Sequence, residues 1–388
     1  MGYIALGDLI SKAQVEKCGK REYPVLSMTM HDGIVFQNDR FKKDIASIDR
    51  SNYSVVGFNQ LVVSFPIDEG VLAVQDITDA GIVSPAYKIW DIDQAKLVPK
   101  YLEMWLRSPR SIDYYKSKLR GTTARRRSIP EEDFLGMRVN VLPMEEQERI
   151  VDLITRVNGV ILLRKQQLSA LDDLIKARFV EMFGDLADPA CVWQTCRLVD
   201  SCGSNDDIKC GPFGTQLSKD EYQSNGVPVW EIPQINSAFA IPPEHFLTEA
   251  KAKELQAYTL TPGDIVMSRK GNVGKCALFP EDKESGVLHS DVLRIRVSVT
   301  KANPCFMMYQ LHYSRDVIRQ IEQVSSGAIM AGVNVTKLKE ILVKLPPLGL
   351  QEQFAAFVAQ IDKSKSVIQK SLDETQLLFD SLMQQYFG

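Results

Sequence analysis

Five stretches carry residue types that could do chemistry. Asn303-Pro304-Cys305-Phe306 differs by one letter from the Asn-Pro-Pro-Phe that receives an extruded adenine during methyl transfer, but no glycine-rich loop for a methyl donor accompanies it. Gly271 to Cys276, GNVGKC, has the look of a phosphate loop. That loop needs four residues between its glycines and Ser or Thr after the lysine, and both are missing. The stretch reads instead as a basic turn with Arg269 and Lys270. Asp264 with Glu281, Asp282 and Lys283 could imitate a nuclease carboxylate cluster, but the equivalent positions 204 residues earlier lack it, and ordinary surface charge is the better reading. Cys191, Cys196, Cys202 and Cys210 crowd one segment without a Cys-x2-Cys pair, and the histidines lie far off, so the spacing argues against zinc. Arg125-Arg126-Arg127 suits contact with phosphates. None of these sets assembles a catalytic centre.

The elements that must position them come from a repeat. Pro143, Gln147 and Glu148 recur 204 residues later as Pro347, Gln351 and Glu352. At the same offset Leu61-Val-Val-Ser64 matches Ile265-Val-Met-Ser268, and Gly70 matches Gly274. Pro24-Val25 matches Pro228-Val229, and Phe183-Gly184 matches Phe387-Gly388. Asn303 to Phe306 falls beside Val98 to Tyr101, where only the helix-starting proline is kept. The chain is therefore one unit written twice, roughly 1–184 and 185–388, too large a period for a solenoid. The copies differ most near their starts, where the second carries extra residues in a stretch containing CGPFGTQLSKDEY.

Each copy ends in a long helix. Ile150, Ile154, Val157, Ile161, Leu168, Leu171, Ile175 and Met182 step by threes, fours and sevens. In the second copy Phe354, Val358, Ile361, Ile368, Leu372, Phe379, Leu382 and Tyr386 do the same. Spacing near 3.5 residues predicts coiled-coil helices of about 37 residues. Arg164, Arg178, Lys365 and Thr375 interrupt the seams. The connection predicts that the two helices run antiparallel. The remainder reads as strand-rich, from short apolar or alternating runs such as Val227 to Ile235 bounded by Gly, Pro, Asn and Asp, with a helix expected to run on from Pro304 to Val324. The fold class expected is α+β, with two strand-rich domains, residues 1–140 and 185–344, each followed by a long helix, residues 141–184 and 345–388. The two-copy pattern makes this a pseudo-two-fold internal repeat.

Composition excludes more than it assigns. The 388 residues are 45% hydrophobic and 24% charged, ordinary for a globular chain with several domains. No apolar run approaches the ~18 residues a membrane span needs. Neither a signal peptide nor a myristoylation pattern opens the sequence. Seven cysteines suggest reduced thiols and a cytoplasmic protein. A net charge of −3 gives no global attraction for nucleic acid, though a local basic strip can coexist with it.

The paired Pro-x3-Gln-Glu helix starts, the two Phe-Gly ends, GPFGTQLSKDEY…GVPVWEI and the loop SSGAIMAGVN together resemble the specificity subunit of type I restriction–modification enzymes. The resemblance covers essentially the whole chain, although the first copy lacks the GPFG loop and has TTARRRSIP in place of the Ser-Gly loop. It implies a non-catalytic chain whose two target-recognition domains each read half of a split double-stranded DNA site. The helices would hold the halves apart and dock two methyltransferase subunits, through which restriction subunits join. S-adenosylmethionine, ATP and magnesium would belong to those partners, and no cofactor or metal is expected on this chain. A coiled-coil scaffold that ignores DNA and a free-standing methyltransferase or nuclease remain as alternatives. The residues expected at the DNA are Ser27, Thr29, His31 and Asp32 after the first Pro-Val strand, and Gln234 and Asn236 after the second. Arg269, Lys270 and Asn272 in the basic turn, Ser326 in the Ser-Gly loop, and Arg125, Arg126 and Arg127 complete the set.

Overall fold

The computed structural model describes residues 2–30, 32–40, 50–119, 129–326 and 332–388. They form two compact units, one of Met1–Lys165 with Gln369–Gly388, the other of Gln166–Ile368. Each unit therefore contains the start of one long helix and the end of the other, a division that cuts through the expected helical segments.

The first unit is built on an antiparallel sheet with spatial order Ile10–Lys12, Lys88–Ile92, Leu61–Val63, Leu72–Val74. Successive side chains of a strand face opposite ways, and both faces here are apolar. Leu61, Leu72, Val74 and Trp90 join Tyr101 and Trp105 in one core. Val62, Ala73 and Ile89 turn to Leu26, Ile34 and Val56 in a second. The second unit repeats the order with Ile208–Cys210, Val292–Ile295, Ile265–Ser268 and Cys276–Leu278. Ile265, Met267 and Leu293 pack with Met307 and Leu311 on one side, and Val266, Ala277 and Val292 with Trp230 and Phe279 on the other.

Two departures from the sequence reading have local causes. A continuous helix was expected after Pro304, but it stops at Tyr313 and restarts at Arg315, with Ser314 extended between them at φ −73° and ψ 113°. The run Val227 to Ile235 is a strand only to Trp230; Ile232–Asn236 is a short helix whose first turn contains Pro233. Asn303 opens its helix as a cap, its Oδ1 accepting from the N–H groups of Cys305 and Phe306, which accounts for the asparagine without any methyl-transfer role.

The long helices span Met144–Phe183 and Leu348–Phe387, 40 residues each. They begin directly after the prolines, because the carbonyls of Pro143 and Pro347 already accept from the N–H groups of Gln147 and Gln351. The same two glutamines are fully buried. Gln147 accepts from the Val98 N–H at 2.9 Å and donates to the carbonyls of Lys96 and Leu142. Gln351 accepts from the Asn303 N–H at 2.8 Å and donates to the Pro346 carbonyl at 2.7 Å. The repeated Pro-x3-Gln is thus a bracket that ties each long helix to the loop before its domain's proline-started helix.

Within the second unit the two helical segments run antiparallel. Phe183 meets Phe354, Arg178 lies over the ring of Phe357, and Asp172 pairs with Lys365 at 2.6 Å. Within the first unit Arg149 lies over Tyr386, again the start of one helix beside the end of the other. The Phe-Gly ends close the arrangement. Phe183 packs on Phe306 at 4.7 Å, and Gly184 leaves the helix in the left-handed region at φ +74°. Phe387 packs on Tyr101 and Trp105, and Arg110 donates to both the Gly388 carbonyl and the Tyr3 hydroxyl, bringing the last residue beside the first strand. Among the described residues no helix is long and apolar enough to cross a membrane.

Candidate nucleic-acid interface

The turn after each central strand occupies the same place in both units. Ser64 and Ser268 are buried, and each donates its N–H across the turn, to the carbonyls of Val71 and Lys275. Gly70 and Gly274 close the turns at φ +72° and +83°, and a Cβ on either would meet an isoleucine, Ile112 or Ile321, at 3.2 Å. Between these fixed ends the chemistry diverges. The first turn is Phe65-Pro66-Ile67-Asp68-Glu69, with Phe65 exposed; the second is Arg269-Lys270-Gly271-Asn272-Val273.

Arg269 is held on several sides. Its backbone N–H donates to Asp291 and its carbonyl accepts from Val333. Its Nε donates to the Val333 carbonyl at 3.2 Å and its Nη1 to the Ser290 carbonyl at 3.4 Å. The guanidinium lies 4.8 Å from the centre of the Phe213 ring, a cation–π distance. Lys270 pairs with Asp291 at 2.6 Å and bridges to Gly332. Asn272 is exposed, and Lys275 reaches back to the carbonyl of Asn236 at 2.8 Å. Ser326 pairs with Gly332 through its backbone. The structure thus gathers Arg269 and Lys270 with the hairpin that carries Ser326, and links the same turn to Asn236.

Phe213 belongs to the GPFG stretch, and the glycines explain its shape. A Cβ on Gly211 would lie 2.3 Å from the His289 carbonyl, so only glycine fits there. Gly214 is left-handed at φ +56°, and the Phe213 N–H is taken by the Gln216 side chain. Behind the turn, His245 meets Glu231 at 2.6 Å and stacks on Tyr222, while His289 takes the Asp291 N–H on its Nδ1 and donates its own N–H to Trp230. These contacts stiffen the segment that supplies the Ser290 carbonyl.

Other expected residues stand elsewhere. Thr29 is buried and its Oγ1 accepts the Asp32 N–H, closing the turn of the Leu26–Thr29/Gly33–Phe36 hairpin. Ser27 is half-buried opposite Val35 in that hairpin. Gln234 is 1% exposed, with its amide committed to the Glu231 N–H and the Pro242 carbonyl, so it is a fold residue rather than a free donor. His31, Arg125, Arg126 and Arg127 lie outside the described residues. Asp264 is buried and gripped by Arg296 through Nε and Nη2, which removes it from any nuclease-like cluster. That grip raises the Arg296 pKa, while burial lowers that of neighbouring Arg294. The described residues contain no metal-binding group of His, Cys, Asp and Glu. Phe213 was not singled out from sequence; the two flanking glycines were its signal.

The sequence model of the type I restriction modification DNA specificity domain matches residues 204–375, which take in the Phe213 loop, the basic turn and the Ser326 hairpin. Over those residues the chain is similar to the DNA specificity domains of type I restriction–modification systems. A type I restriction enzyme specificity subunit of Methanocaldococcus jannaschii, MjaX, is 27% identical over 169 residues, 42% of this chain and 39% of that relative. The match thus spans about two-fifths of the relative's length. Among solved structures, the S subunit of a type I system from M. genitalium aligns over 100% of this chain and 96% of its own, at 14% identity and a TM-score of 0.59. A chain from a study of type I system assembly and conformational transition aligns over 99% and 97%, at 17% identity and a TM-score of 0.53. At these identities the likeness is one of fold.

Proposed function

We propose that this chain is the DNA-reading subunit of a type I restriction–modification complex. Each unit reads one half of a bipartite, asymmetric double-stranded site. The long helices dock two methyltransferase subunits, and restriction subunits join through these. The chain itself performs no reaction; S-adenosylmethionine, ATP and magnesium serve the partners. The observation that carries this reading is one scaffold presenting two chemistries: Phe65 and Arg269 stand at the same place in the turns after equivalent strands. A scaffold serving only protein assembly has no use for that divergence.

Exposed apolar side chains on the helices support the docking. Leu163 and Val367 are equivalent in the repeat, as are Leu174 and Leu378, and all are exposed. Such side chains mark protein contacts when they recur on a helix face. Leu163→Glu and Val367→Glu are each expected to remove one of two docked methyltransferase subunits, read as a drop in complex mass by light scattering. If either variant keeps both subunits, the helices dock them elsewhere.

With a net charge of −3 the chain alone has little general pull on DNA. Affinity for a random-sequence duplex pool is therefore expected to be weak alone and at least 10-fold tighter with methyltransferase subunits at matched salt. Selected duplexes should share two conserved blocks separated by a fixed gap. Failure of the complex to select any sequence would refute DNA reading, and methylation by the isolated chain would refute the non-catalytic role.

A further inference from the structure

We infer that Arg269 reads a guanine in the half-site of the second unit and that Phe213 positions it; this rests on the DNA-reading function proposed above. Of the two cations at the start of the turn, Lys270 is neutralised by Asp291. Arg269 has no carboxylate partner among the described residues, and its Nη2 has no acceptor there. Its Nε and Nη1 are tied to carbonyls, and its face is covered by an aromatic ring that is itself 46% exposed. A guanidinium held this way cannot swing to meet a phosphate wherever one lies. It offers donors in one plane and one direction. Guanine presents paired acceptors, O6 and N7, in the major groove, and arginine is their commonest partner. A phosphate contact would not need such fixing, since lysine serves it as a point charge.

The Phe213 loop presents its ring at the surface beside Arg269. The Gly211 close approach and the left-handed Gly214 fix the loop before any ligand arrives. Phe213 touches Arg269 and is assigned no contact with the base, so it is a positioning residue. In the first unit Phe65 stands where Arg269 does, so that half-site is read without a guanidinium at this place. The two halves of the site then differ at equivalent positions, which makes the site asymmetric.

The test uses the complex with methyltransferase subunits and the duplex it selects. Arg269→Ala is expected to lose about 10- to 100-fold in affinity for that duplex and to lose preference for guanine at one position in one block. Replacing that guanine by 7-deazaguanine, which lacks the N7 acceptor, should weaken the wild type and leave Arg269→Ala unchanged. Phe213→Ala should lose the same discrimination, and Phe213→Tyr should restore it. Arg269→Lys, which keeps the charge without the fork, should behave like the alanine variant and covers the case in which alanine disturbs the fold. Equal weakening on every sequence, with a salt slope reduced by about one, would mean a phosphate contact and would overturn the inference while leaving DNA reading intact. Insensitivity to 7-deazaguanine at every position of both blocks would overturn it as well. A complex that binds no DNA would instead overturn the function on which it rests.

Discussion

Replacing Phe387 by alanine is expected to destabilise the first unit by about 3–5 kcal/mol, the usual cost of deleting a buried phenylalanine ring, and to leave the second unit unchanged. Phe387 stands one residue from the end of the sequence, where truncation is commonly harmless. Here its ring is fully buried, 5.4 Å from Tyr101 and 6.1 Å from Trp105, in the core that also holds the central sheet of the first unit. The reciprocal variant, Phe183→Ala, should destabilise the second unit instead, because that ring packs on Phe306 and Phe354. Hydrogen exchange followed by segment separates the outcomes. Faster exchange across residues 54–106 but not 265–313 is expected for Phe387→Ala, and the reverse for Phe183→Ala. Equal loosening of both units by either variant would show that the helix ends do not belong to separate cores.

Gln351→Leu is expected to cost about 2–5 kcal/mol. The substitution keeps nearly the same volume, so cavity formation contributes little. It strands the Asn303 N–H and the Pro346 carbonyl, both of which bond to this side chain, and a buried group left unpaired costs about 1–3 kcal/mol. Gln147→Leu should act alike on the first unit through Val98, Lys96 and Leu142. Urea unfolding checks both. A loss below about 0.5 kcal/mol would mean that water replaces the amide and that the bracket is dispensable.

The long helices were legible because forty residues of periodic pattern average over any single misfit. Even Lys365, an apparent flaw in the seam, has its partner in Asp172. The repeat was legible for the same reason, being counted over the whole chain. What the sequence did not show was where a polar side chain spends its hydrogen bonds. Gln351 could be read as a helix start, but its partner Asn303 is 48 residues away. Thr29 and Gln234 have the composition of a reading loop and are consumed by their own turns. Phe213 and Arg269 are neighbours only because two separate loops meet beside one strand end. Short strands such as Gly2–Ala5 and Arg138–Val141, which pair with one another, carry too few residues for a period to emerge.

Each folded unit borrows the closing turn of its helical support from the opposite copy. A single ancestral copy would have left its terminal phenylalanine with no core to enter, except in a second identical molecule facing it through an isologous contact. Duplication and fusion convert such a homodimer into one polypeptide without inventing any new interface. They also release the two halves from identity. Once both copies are encoded in a single gene, mutation can reach one turn and spare its twin. Residues 1–140 could be exchanged by recombination for those of another chain that keeps the buried glutamine and the Phe-Gly end, and one turn would then change in a single step while its twin stayed as it was.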